Sequence, residues 1–388
     1  MKNKLFTLAI SLSFISTSMV SASGEGAAQE LPTTESTPAA ANTPITIGVL
    51  LPLTGDFAFF GDQARQGIEV AVADLNREGE QVRVIYEDER CLPKAAVEGF
   101  KKLVAVDKVD QIVGPVCTGS ILSVAESAKA LRRHFLALLD TNRPVAQSGE
   151  FTYAIGYSSE EEAEIVAEHA RISGFVRIGI IYEEDAWAVC VKDAFKAKLE
   201  AIGGSVVAEE SQVILGAASA PDYRPVITKV MKRAPDALFV VPAYNGGFFL
   251  KQLRSLGNKL PVFGPDTFAI TDVIEIAKDA AEGVVCANAL VDESTPGALR
   301  LQNLLTKKLG HAPSSVFYPG LGYDGLTFAV AAARSGKPFP EAIASLDRSG
   351  SVLGLPAFNA QRQSKLSPVL FTIKNQTIQQ LIQPTPAT

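Results

Sequence analysis

Short apolar runs that alternate with amphipathic helical stretches, in two successive series, constrain this chain more than any other feature. In the first series the strands are predicted at 45–51, 82–86, 111–113 and 135–139. Between the first two, Ala64, Ile68, Ala71, Val72 and Leu75 recur at spacings of three and four, so one helix face is buried, and Gly79 stands where that helix would stop. Strands joined through helices run parallel, which makes this a βαβ lobe. A second series starts with RIGIIY at Arg177, continues through a helix over 186–201 ending at Gly203 and Gly204, and adds SVVAEE, ALFVVP, PVFGP and GVVCANAL. The expectation is an α/β chain of two Rossmann-like lobes, each with a parallel central sheet.

FTYAIGYSSEEE, residues 151–162, reads as the first crossing between the lobes, its acidic run favouring the amino end of the next helix. Two more helical patterns follow at 299–309 and 323–334, and the tail 350–381 alternates like a short antiparallel hairpin. Lobe boundaries are therefore expected at 45–157 plus 288–350 for the first lobe and 158–287 plus 351–383 for the second.

The first 22 residues carry two early lysines, the apolar core LFTLAISLSF and a Val-Ser-Ala ending, the pattern of a secretory signal cut between Ala22 and Ser23. Residues 23–44, rich in Ala, Thr, Glu and Pro, read as a disordered spacer. Cleavage leaves 388 − 22 = 366 residues, enough for about two domains. The first cysteine is Cys91, so no lipid-bearing cysteine stands at the cleavage point, and no later stretch is long enough for a membrane span. A formal net charge of −6 argues against nucleic acid or an anionic membrane as partner.

Of the four cysteines, Cys91 and Cys117 follow strand ends in consecutive β-α units, and a disulfide between them is predicted. Cys190 and Cys286 read as buried free thiols. GPVCTGS, 114–120, has the spacing of a phosphate loop, but Ser120 stands where that motif needs lysine, which argues against nucleotide hydrolysis. Its small residues leading into a helix still offer free amides to a carboxylate. His134, His169 and His311 lie in different segments without a nucleophile pattern, and neither GxSxG nor HExxH occurs. Glu87, Asp88 and Glu89 read as a solvated strand end. Trp187, the one tryptophan, and Asp266 in FGPDTF occupy strand-end corners of the kind that face a cleft.

With Phe60, Thr118, Thr141, Trp187, Tyr244 and Asp266 at successive strand ends, the chain resembles the periplasmic binding proteins of branched-chain amino acid ABC transporters, from about Ile45 to Leu381. The landmarks are PLTGDFAFFGDQARQGIEVAVADLN, CLPKAAV, GPVCTGS, DTNRP, IIYEEDAW, FGPD and a closing VLG. The resemblance implies a type I periplasmic binding protein fold whose lobes close by hinge crossovers. It implies an α-carboxylate grip by Thr118 and Thr141, flanked by backbone groups of Val116, Cys117 and Leu139, and an ammonium grip by Asp266. A cystine of the family matches Cys91 and Cys117. Phe60 and Trp187 stand where such proteins commonly present tyrosines, and Asp140 adds negative charge beside Thr141. Phe57, Phe59, Phe60, Trp187 and Tyr244 are expected to form an aromatic-lined pocket.

The resulting expectation is a monomeric periplasmic solute-binding protein, not an enzyme, that needs no cofactor or metal and delivers an apolar or aromatic amino acid to an inner-membrane ABC permease. The same fold binding an amide, urea or aromatic carboxylate, or serving as a sensor for a membrane receptor, is the alternative.

Overall fold

The computed structural model describes residues 43–213, 221–243, 245–313 and 315–382. The leader expected over 1–22 and residues 23–42 of the spacer lie outside the described residues, as does Tyr244. The first lobe starts with β1 (Ile45–Leu51), α1 (Ala58–Arg77), β2 (Val82–Asp88), α2 (Pro93–Ala105), β3 (Gln111–Val113), α3 (Thr118–Leu131), β4 (Phe135–Asp140), α4 (Arg143–Ala146) and β5 (Thr152–Tyr157). The chain then crosses. The second lobe holds α5 (Ser159–Ile172), β6 (Arg177–Glu183), α6 (Ala186–Ala201), β7 (Ser205–Gln212), α7 (Arg224–Met231), β8 (Ala237–Val241), α8 (Gly246–Ser255), β9 (Val262–Gly264), α9 (Thr271–Ala277) and β10 (Val285–Ala289). After a second crossing come α10 (Pro296–Leu309), α11 (Phe317–Arg334), α12 (Phe339–Ala344) and β11 (Gln363–Leu366), and the chain ends in β12 (Pro368–Lys374) and β13 (Thr377–Gln380).

Among the described residues the first sheet runs β11-β5-β4-β3-β1-β2, all parallel, and the second runs β13-β12-β10-β9-β8-β6-β7, parallel except for β12 and β13. The central strands alternate their side chains between two cores, as a sheet covered on both faces requires. Val49 and Leu51 of β1 enter one core with Ile68 and Leu326, while Leu50 enters the other with Phe100 and Ile121. In the second lobe Phe239 packs toward Phe195 at 3.8 Å between ring centroids, while Leu238 and Val240 face Phe249.

Helices α1 and α11 meet backbone to backbone. A Cβ on Gly67 would stand 1.7 Å from the Pro319 carbonyl oxygen, and one on Gly322 would stand 2.0 Å from that of Ala64. Only glycine permits this approach at both positions.

The last crossing lies later than the sequence alternation placed it. Residues 351–366, expected in the second lobe, pack with the first: β11 pairs with β5 from Gln363 to Leu366, and Val352, Leu353 and Leu355 join the core of the first lobe. Asp324 of α11 holds this return, accepting from Ser351 Oγ at 2.7 Å, Val352 N at 2.9 Å and Leu353 N at 3.1 Å. The hairpin is confined to β12 and β13, joined at Asn375 and Gln376, both with positive φ, as a tight two-residue turn demands. The second crossing also falls later than 288, since β10 stays paired with β12 through Ala289.

Both sheets reverse their strand order beside a central strand, at β1/β3 in the first lobe and at β6/β8 in the second. A crevice forms outside the carboxyl ends of strands at such a reversal.

Candidate functional site

A cavity of about 280 Å³ occupies that crevice and draws residues from both lobes. The first lobe contributes Phe57 from the turn after β1 and Phe60 from the first turn of α1, Cys91 and Pro93 after β2, Val116 to Gly119 after β3, Leu139 and Asp140 at the end of β4, and Tyr157 closing β5. The second contributes Ser159, Asp185 to Trp187, Ala243, Asp266 and Thr267. Asp185 caps α6 by accepting from Ala188 N at 2.7 Å, which sets Trp187 in the first turn. The indole Nε1 then donates to Ser159 Oγ at 2.9 Å, joining the first turns of α5 and α6. On the opposite wall Phe60 leans on Tyr318 at 5.0 Å, Tyr318 on Phe317 at 5.1 Å and Phe317 on Tyr157 at 5.5 Å.

The disulfide between Cys91 and Cys117 is present, with Cα atoms 5.4 Å apart, and ties the loop after β2 to the start of α3. Cys190 is half-buried and Cys286 buried, both as free thiols. Beneath the bridge Glu89, expected at a solvated strand end, is fully buried and accepts from Ser120 Oγ at 2.6 Å; burial pushes its carboxyl up to about 7. Its neighbours are structural too: Asp88 accepts from Leu53 N at 2.8 Å, and Glu87 pairs with Lys102 at 2.6 Å. Among the described residues, metal-ligand spacing is found at Glu89, Cys91 and Cys117, where both sulfurs are consumed by the bridge. His134 is packed against Phe151 and Phe339, and burial lowers its pKa to about 4.

Three carboxylates reach the cavity. Asp140 accepts from the Thr118 hydroxyl and from Asn142 N at 2.7 Å, and burial raises its pKa to about 6. Asp266, in a short 3-10 turn at 266–268, accepts from Tyr157 OH at 2.6 Å across the lobes. Its other oxygen, Oδ1, is buried without a protein partner, as is Glu162 Oε1. The Glu162 carboxyl lies against Asp266, and burial followed by the charge of that neighbour lifts it well above the usual range, while burial holds Asp266 near 6. Asp185 is likewise raised to about 6 by burial.

These shifts carry a stability prediction. A carboxyl with a higher pKa folded than unfolded binds its proton more tightly in the fold, so its contribution grows as pH falls between the two values. That window runs from about 6 down to 3.8 for Asp140, Asp185 and Asp266, and from about 7 down to 4.5 for Glu89. His134 acts in the opposite sense between 6.5 and about 4, but the carboxyls outnumber it. The thermal midpoint should be higher at about pH 5 than at about pH 8; calorimetry showing the reverse would refute the buried-carboxyl account.

Two expected residues sit elsewhere. Thr141 does not line this cavity: its N donates to the Tyr157 carbonyl at 3.0 Å, its carbonyl accepts from Gln363 Nε2 at 2.8 Å, and it faces a second cleft of about 210 Å³ near the crossings with Arg143 and Lys365. Leu139, held at φ 78°, turns the chain so that Asp140 takes the place beside α3. Phe59 is 45% exposed and packs edge-on to Phe60 and Tyr318 outside the cavity. Phe60, Val116, Cys117, Thr118, Leu139, Trp187 and Asp266 do meet around one space. Sequence reasoning missed Tyr157, Ser159, Glu162, Asp185 and Thr267; the hydroxyl-and-acid run at 157–162 was the available signal, and it read only as a crossing.

Residues 44–364 match the family model described as periplasmic binding protein. The chain belongs to this family. Leu/Ile/Val-binding protein BraC3 of Rhizobium johnstonii is 27% identical over 292 residues, covering 71% of this chain and 76% of that one. A leucine binding protein from Thermotoga maritima has a TM-score of 0.76 at 22% identity, covering 88% of this chain and 99% of that chain. An ABC transporter solute binding protein from R. palustris, solved with 4-hydroxybenzoate, has a TM-score of 0.74 at 20% identity, covering 87% and 95%. Both structures share the two-lobed type I fold of the periplasmic binding proteins. As a member of that family the chain is a binding protein and not an enzyme. No helix among the described residues is long and apolar enough to cross a membrane.

Proposed function

We propose that this protein is the exported, monomeric solute-binding component of an ABC transporter, closing its lobes on one small solute of amino acid type and handing it to an inner-membrane permease. The observation that carries the reading is the interlobe cavity itself: about 280 Å³, walled by Phe57, Phe60 and Trp187, and lined by Asp140, Asp185 and Asp266 with no Lys, Arg or His among its described lining residues. That volume suits a single compact solute. The rings favour an apolar, branched or aromatic body, and the carboxylates favour an ammonium group. An aromatic carboxylate without nitrogen would meet the like charges of Asp140, Asp185 and Asp266 with no cation to offset them. Closure is a hinge motion at the crossings, and the solute stabilises the closed state through its contacts to both lobes.

Trp187 reports on this directly. Titrating solute-stripped protein with amine-bearing apolar solutes should give a saturable change in tryptophan emission, and 4-hydroxybenzoate should give none. A response to nitrogen-free acids alone would overturn the assignment.

A further inference from the structure

The first turn of α3 is the natural place for a ligand carboxylate in this cleft, since its amides are free of intrahelical partners and the helix dipole is positive there. Cys117, at the cap position, supplies no side-chain hydrogen bond. A carboxylate already stands beside that turn, on the Thr118 hydroxyl rather than on its amides. Asp140, only 6% exposed, places one oxygen on the Thr118 hydroxyl and the other on Asn142 N at 2.7 Å, so both are engaged, and its side chain still forms part of the cavity wall.

We propose that Asp140 stands in for the carboxylate a solute would otherwise bring, so that the cavity selects an amine or a carboxamide over the corresponding free amino acid. This rests on the reading that the solute of this binding protein places an ammonium group in this cavity. An α-carboxylate entering beside α3 meets the charge of Asp140 and finds the Thr118 hydroxyl already donated. No lysine, arginine or histidine among the described lining residues offsets that charge, and Glu160 adds a further acid close enough to raise the proton affinity of Asp140. Like charges facing each other across a desolvated contact are a strong device for excluding a wrong ligand. A primary amine or an amide places donors or a neutral group at the same point, and Asp140 accepts from them.

The test is a matched series on solute-stripped full-length protein, read by calorimetry: phenylalanine, phenylalaninamide and phenethylamine, then leucine, leucinamide and 3-methylbutylamine. The amide or the amine should bind about tenfold or more tightly than its parent acid. Asp140→Asn keeps the acceptor for Thr118 while removing the charge, and should narrow the gap between each free acid and its amide by about tenfold. Parent amino acids binding at least as tightly as their amides to the unaltered protein overturn this proposal and leave the transporter reading intact. Failure of the whole series, with 4-hydroxybenzoate binding, overturns both.

Discussion

Gly67→Ala should lower the thermal midpoint by about 6–10 °C, the shift that roughly 3 kcal/mol produces in domains of this size. The obstacle to the new methyl group is the Pro319 carbonyl oxygen at 1.7 Å, a backbone atom that no rotamer change removes. Relief requires α1 and α11 to separate, and the same separation opens the contact between Ala64 and Gly322. Gly350, with no heavy atom within 4 Å of an added Cβ, is the control, and its alanine variant should melt within about a degree of the parent. Circular dichroism melts of the two variants decide the matter: a Gly67→Ala protein as stable as the control would mean that the helices are not in backbone contact. The consequence reaches the cavity, because α1 carries the lining residue Phe60 and α11 carries Tyr318 and Phe317, the rings packed behind it. Solute affinity should fall together with stability.

What could be read beforehand follows from how local each signal is. The β-α units were legible because a buried parallel strand is a short apolar run and its covering helix repeats at three and four residues, both within a window of twenty residues. Cys91 and Cys117 were legible because each follows a strand in adjoining units. β11 was not, since Gln363 and Ser364 are buried polar residues, one donating to the Thr141 carbonyl and the other to that of Pro356, and nothing in QSKL announces that. Which residue of Asp140 and Thr141 meets α3 depends on the positive φ of Leu139, a conformation that no leucine advertises. The Tyr157–Asp266 bond spans 109 positions and joins two lobes, so only the folded chain brings it together.

Asp266→Asn should weaken binding of an ammonium-bearing solute by roughly ten- to a hundredfold, the worth of about 1.5–3 kcal/mol for a hydrogen bond to a charged group. The amide oxygen still accepts from Tyr157, and the new NH₂ group faces Glu162, so the fold loses no acceptor for the Tyr157 hydroxyl. What disappears is the negative charge, together with the Oδ1 acceptor that lies against Glu162. An ammonium in the cavity brings the positive charge that this buried pair of acids lacks, and charge-assisted hydrogen bonds are the strong class. Neutral amides should lose much less, because their attraction to Asp266 carries no ion pair. An ammonium solute whose dissociation constant is unchanged by Asp266→Asn would move the nitrogen away from this corner of the cavity and place it on Asp140 or Asp185.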